Sequence, residues 1–214
     1  MKAFKSLAKQ DNLLTDFKYI CSPSYSILHK PWYNGRWEEN GTPFRMSNGR
    51  FSLRKKPVCY LVTDLSIRMN YEINRCFEIE KKNNQSIGFE KAQRNFKEND
   101  FPFSKTFYLD YKNISLFNFV ASSTVDRLAQ VTDADKDFYS SLIEHRSNEI
   151  YDLSIQFAKI IYDKGFDGII YQSCTVLASD WLGPQNDPMI LLFNRDRCFD
   201  QPIDWGLIKK RKFA

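Results

Sequence analysis

Residues 148–173 read Asn148-Glu-Ile-Tyr-Asp-Leu-Ser-Ile-Gln-Phe-Ala-Lys-Ile-Ile-Tyr-Asp-Lys164, then Gly165-Phe166-Asp167-Gly168-Ile169-Ile170-Tyr171-Gln172-Ser173. Ile150, Leu153, Phe157, Ile160 and Ile161 recur at helical spacing, which predicts an amphipathic helix from Asn148 to Lys164. Gly165 suits the position just past a helix, where left-handed backbone costs glycine little. The period then changes, and Ile169-Ile170-Tyr171 predicts a short buried strand. Outward from this unit, Val58–Val62, Phe107–Leu109 and Met189–Phe193 carry the same strand signal. Further helices are predicted over Ser122–Val131 and Ala134–Arg146, and from an Asp64 cap through about Phe77. Strands interrupted by helices at irregular spacing predict an α+β fold, with small mixed or antiparallel sheets flanked by helices.

The chain has 214 residues, of which 43% are hydrophobic and 27% charged, so one domain with a sizeable core is expected. Its 18 Phe, 11 Tyr and 4 Trp exclude disorder as the general state. Residues 1–43 carry scattered aromatics with little periodicity and predict an irregular or partly helical segment packed on a main domain over 44–205. Residues 81–103 are polar and predict a surface excursion, and 206–214 form a basic tail. The net charge of +5 is mild. Arg54-Lys55-Lys56 and Lys209-Lys210-Arg211-Lys212 read as solvated loop and tail, so direct nucleic-acid binding is not expected. Five scattered cysteines without a C-x-x-C pair, and only two histidines, give no zinc spacing, and no metal is expected. Buried thiols, no secretory core and no apolar run of ~18 residues make a cytoplasmic protein without membrane association the expectation.

Only 8 glycines are present, and the nearest pairs, Gly165 with Gly168 and Gly35 with Gly41, write neither a P-loop nor a dinucleotide fingerprint. A phosphate group would have to be held by side chains. Arg45 and Arg50 stand five residues apart among apolar neighbours, and an arginine fork suits phosphate oxygens. The alternative is a hairpin turn at Asn48-Gly49 with both arginines exposed. Glu72 falls on the apolar stripe of Leu65, Met69, Ile73 and Cys76. It faces either a cleft, where burial raises its pKa and calls for a cationic partner, or solvent beside Arg68 and Arg75. Ser173 follows a buried strand, either as a hydroxyl that orients a ligand or as a simple strand-end residue.

In order and spacing, Gly49-Arg50-Phe51, Val58-Cys59-Tyr60-Leu61, Glu72 and Gly165–Ser173 together resemble the RES domain family over roughly residues 44 to 195. That family is best known as the toxin of bacterial toxin–antitoxin pairs. The resemblance implies a fold similar to the diphtheria-toxin-type ADP-ribosyltransferase and an activity that consumes NAD⁺ by hydrolysis or phosphorolysis. The alternative within the same chemistry is transfer of ADP-ribose to a protein target. It further implies a neutralising antitoxin with a helix-turn-helix region. By position, Glu72, Arg50 and Tyr60 answer to the catalytic residues, with Arg45, Arg50, Tyr60 and Ser173 binding NAD⁺; Arg36 rivals Arg45 as the second arginine. A carboxylate beside the ribose stabilises the oxocarbenium-like charge that builds as nicotinamide leaves. A non-enzymatic binding module is the reading from a different class, and salt-sensitive nucleic-acid binding would mark it.

Overall fold

The strand signals meet in one sheet in the computed structural model, which describes residues 2–20, 25–31, 46–47, 49–62, 103–110, 114–145, 147–172, 188–193 and 209–210. Seven strands are described: β1 (Tyr25–Pro31), β2 (Val58–Val62), β3 (Phe103–Asp110), β4 (Leu116–Phe119), β5 (Gly168–Gln172), β6 (Pro188–Phe193) and β7 (Lys209–Lys210). Their spatial order is β4-β5-β6-β2-β1-β3-β7. Only β4 and β5 pair in parallel, with Phe119 opposite Tyr171; the other pairs are antiparallel. The predicted mixed α and β composition is therefore present, gathered into a single mixed sheet. β6 joins its two halves by pairing with β5 on one side and β2 on the other.

Five helices are described: α1 (Lys2–Ala8), α2 (Leu13–Asp16), α3 (Ser122–Thr132), α4 (Lys136–Glu144) and α5 (Asn148–Asp163). Local chemistry sets their ends. Asp135 accepts from the Asp137 amide at 2.9 Å to start α4, and Ser147 accepts from Ile150 at 3.2 Å to start α5. Gly165 follows α5 at φ +94°, the left-handed geometry expected of it. The buried stripe of α5 is Ser154, Phe157, Ala158 and Ile161, rotated from the predicted one. Ile150, Leu153 and Ile160 are only partly covered, because small Ser154 and Ala158 let the helix approach its neighbours closely.

The main aromatic cluster lies between the helices and one sheet face. Phe157 contacts Phe117, Phe119 and Phe51 at ring distances of 5.4, 5.2 and 6.0 Å. Phe4, Leu7, Leu13 and Phe17 of the N-terminal stretch enter the same core. Within that stretch Tyr25–Pro31, where the sequence predicts no strand, is strand β1, paired along its whole length with β3. Partners some 80 residues away in the chain supply that order, so local periodicity carries no sign of it. Phe17–Tyr19 also lines β4, through Tyr19 N to Leu116 O and Asn118 N to Phe17 O, both 2.8 Å. No helix among the described residues is long and apolar enough to cross a membrane.

The Phe166-Asp167-Gly168 turn anchors β5. Phe166 is buried, and the Asp167 carboxylate accepts from Ser115 N at 2.8 Å, tying the turn to the start of β4. The predicted Asp64–Phe77 helix and the 81–102 stretch lie outside the described residues.

Candidate functional site

β6 runs against both β5 and β2, so β2, β4 and β5 share one direction and end at one edge of the sheet. Val62 and Tyr171 both stand opposite Met189 there. One strand separates β2 from β5, about 10 Å at ordinary strand spacing. Phe51 packs on this edge, with its ring 4.9 Å from Tyr171 and 5.8 Å from Phe119, the last residue of β4.

Phe51 belongs to a turn over Gly49–Ser52, closed by Ser52 N donating to Gly49 O at 3.1 Å. A second tight turn follows over Leu53–Lys56, with Lys55 at φ +64°. The chain thus bends twice before β2; one of the two sequence readings puts a hairpin turn at Asn48-Gly49, and Asn48 lies outside the described residues. The basic run is solvated, as expected: Arg54 pairs with Asp152 at 2.9 Å, and Lys56 lies 4.1 Å from the Tyr162 ring centre.

Arg50 and Tyr60 come together. Arg50 is 5% exposed and points into the molecule. Its Nη1 donates to Leu142 O and its Nη2 to His145 O, at the end of α4. A cation suits the carbonyl end of a helix. The guanidinium also lies over the Tyr151 ring, 5.3 Å from its centre. The Tyr60 hydroxyl donates to Arg50 O at 2.8 Å. Gly49 is held close by this arrangement, since a Cβ there would stand 2.7 Å from Tyr60 Oη. Ser47 Oγ accepts from Gly49 N at 3.0 Å. Ser52 Oγ is the one buried side-chain polar atom without a hydrogen-bond partner among the described residues.

Burial pushes the Tyr60 phenol pKa well above the ordinary tyrosine value, against the Ser47 hydroxyl and the Arg50 charge. Burial raises that of Tyr139 too, against its hydrogen bond to Thr132. An unfolded tyrosine releases its proton near pH ~10. Above that pH the unfolded chain binds fewer protons than the native one, so stability falls as pH rises. The slope is at most about 1.4 kcal/mol per pH unit for each raised tyrosine, and it ends once its folded pKa is passed. Urea unfolding at pH 8 to 11 should show the midpoint dropping from about pH 10. A flat midpoint over that range would contradict the enclosure of both phenols.

Glu72, Arg45, Arg36 and Ser173 lie outside the described residues. The sequence places Glu72 ten residues past the end of β2 and Ser173 directly after β5. Sequence reasoning missed Ser154 and Tyr151 of α5, which contact the Arg50 turn. Ser154 had a visible signal, a hydroxyl between apolar residues on the helix face. Tyr151 had none, because its role depends on where α4 ends. Comparison of the chain with protein-family models, with curated proteins and with solved structures gives no match.

Proposed function

We propose that this chain is an NAD⁺-consuming enzyme that breaks the nicotinamide–ribose bond by hydrolysis or phosphorolysis, acting as a toxin. The observation that carries the reading is the meeting of Arg50 and Tyr60 beside the edge at which β2 and β5 end. From that edge the chain continues directly to Ser173 after β5, and Glu72 follows β2 by ten residues; these are the other two residues of the RES-like pattern. A fold akin to the diphtheria-toxin-type ADP-ribosyltransferase is part of the same proposal, as is an antitoxin that covers the site.

In this reading the bond from ribose C1′ to the nicotinamide nitrogen breaks with its electron pair, and neutral nicotinamide departs. Its leaving needs no strong acid, because the pyridinium charge is neutralised in the step. The Glu72 carboxylate stabilises the cationic sugar and orients the attacking water or phosphate. Water yields ADP-ribose and a proton; phosphate yields the 1″-phosphate of ADP-ribose. Arg50 contributes positive charge toward the pyrophosphate, with Arg45 or Arg36 as the direct contact. Tyr60 offers an aromatic face to nicotinamide, and Ser173 a hydroxyl to the ribose.

The test is nicotinamide release from NAD⁺ by purified protein, with and without phosphate. Glu72→Gln is expected to lower turnover roughly 100-fold or more, the scale of losing one transition-state electrostatic partner. Undiminished turnover by a folded Glu72→Gln protein would sink the mechanism. Label from NAD⁺ appearing on a protein band would reassign the chain as an ADP-ribosyltransferase.

A further inference from the structure

One peptide unit, Arg50–Phe51, is held from both sides. Its carbonyl accepts from Tyr60 Oη of β2 at 2.8 Å, and its N–H donates to Ser154 Oγ of α5 at 3.3 Å. Ser154 is fully buried, and its hydroxyl in turn donates to Tyr151 O at 2.8 Å. A serine on a buried helix face usually turns its hydroxyl back onto its own helix. Here the same oxygen also receives an amide from another element. That amide belongs to a strained residue. Phe51 has φ +58°, a conformation uncommon outside glycine and an outlier for a bulky side chain. Its ring is fully buried, against Phe119, Phe157 and Tyr171. Strain of this kind persists only where surrounding contacts over-determine it, and it clusters at functional sites.

We propose that Ser154 is a positioning residue: with Tyr60 it clamps the Arg50–Phe51 peptide and so fixes Arg50 and the Tyr60 ring for the reaction. The role in turnover rests on the NAD⁺-consuming reading; the clamp itself does not. Left-handed Phe51 turns the chain so that the Arg50 side chain points toward the end of α4 while the Phe51 ring enters the core. Losing the Ser154 acceptor leaves a buried N–H unpaired at a strained residue, and the turn then relaxes. Tyr60 follows, because its hydroxyl is bonded to the carbonyl of that same peptide.

The experiment compares Ser154→Ala and Ser154→Thr in the full chain. Alanine favours helix, so α5 should persist. The Phe51 amide is expected to exchange with solvent about tenfold faster or more in Ser154→Ala, while amides in the middle of α5 keep their protection. Nicotinamide release should show kcat lowered about tenfold with KM changed by less than about twofold, the pattern of lost alignment rather than lost binding. Ser154→Thr, which keeps the hydroxyl but adds a methyl group at a fully buried position, should move both readouts from the Ser154→Ala values partway back toward the parent. Unchanged Phe51 exchange in folded Ser154→Ala overturns the clamp. Faster exchange with unchanged kcat overturns the positioning role. A parent protein that releases no nicotinamide fails the functional reading alone, because the exchange result still decides the clamp. If Ser154→Ala does not fold, Tyr60→Phe frees the peptide from its other side and should speed Phe51 exchange in the same way; no change there overturns the clamp equally.

Discussion

Gly168→Ala is expected to destabilise the protein by roughly 3 kcal/mol or more, at the upper end of what overpacking costs. A Cβ at this position would lie 2.2 Å from Leu191 O and 3.0 Å from Leu116 Cδ2. The first contact decides the size of the effect. Leu191 O is backbone, and it belongs to β6, which is paired on one side to β5 and on the other to β2. Moving that carbonyl away disturbs two ladders together, whereas a side chain would only change rotamer. Gly165→Ala makes the contrast. Gly165 has φ +94°, but a Cβ there would meet only Leu14 Cδ1 at 3.6 Å. Its cost is backbone strain, about 1–2 kcal/mol. Urea unfolding of both variants checks the order, and a Gly168→Ala protein as stable as Gly165→Ala would contradict the close β5–β6 approach.

The two glycines also show what a sequence can and cannot reveal. Gly165 is legible because a helix-ending glycine follows from local periodicity. Gly168 is not, because its need for a bare Cα comes from a strand more than 20 residues later. The same division runs through the elements. Val58–Val62, Met189–Phe193 and the helices α3 to α5 follow from runs of apolar residues and caps. β1 stayed hidden because Tyr25-Ser-Ile-Leu-His-Lys-Pro31 neither alternates cleanly nor forms one apolar run. At the site, residue type draws attention to Arg50, while Tyr60 comes only from the resemblance to the RES family; a hydrogen bond from the Tyr60 hydroxyl to Arg50 O joins them. The direction of the Arg50 side chain was not legible, since it depends on a left-handed Phe51 and on where α4 stops.

Arg50→Met is expected to cost about 1.5–3 kcal/mol, the range for losing hydrogen bonds that involve a charged group. Swapping a buried ion pair for apolar residues is often harmless, because both charges leave together. That escape is closed here. The acceptors are Leu142 O and His145 O, backbone groups that stay in place whatever side chain stands at 50. Methionine fills much of the arginine volume and keeps contact with Tyr151, but offers no donor to either carbonyl. Arg50→Lys should recover only part of the loss. A single ammonium cannot reproduce the planar fork that reaches two carbonyls from one centre. The surface provides the internal control, because Arg54→Met breaks only the exposed pair with Asp152 and should cost under about 1 kcal/mol. Thermal and urea unfolding of the three variants measure these differences. Nicotinamide release at a temperature where each is folded then tests whether the proposed use of this cation at the site adds to its structural one. Arg50→Met as stable as the parent but inactive would make Arg50 a ligand contact without a structural role. A large stability loss, with activity only partly recovered by lysine, is the expected result for a guanidinium that caps α4 while its charge reaches the site.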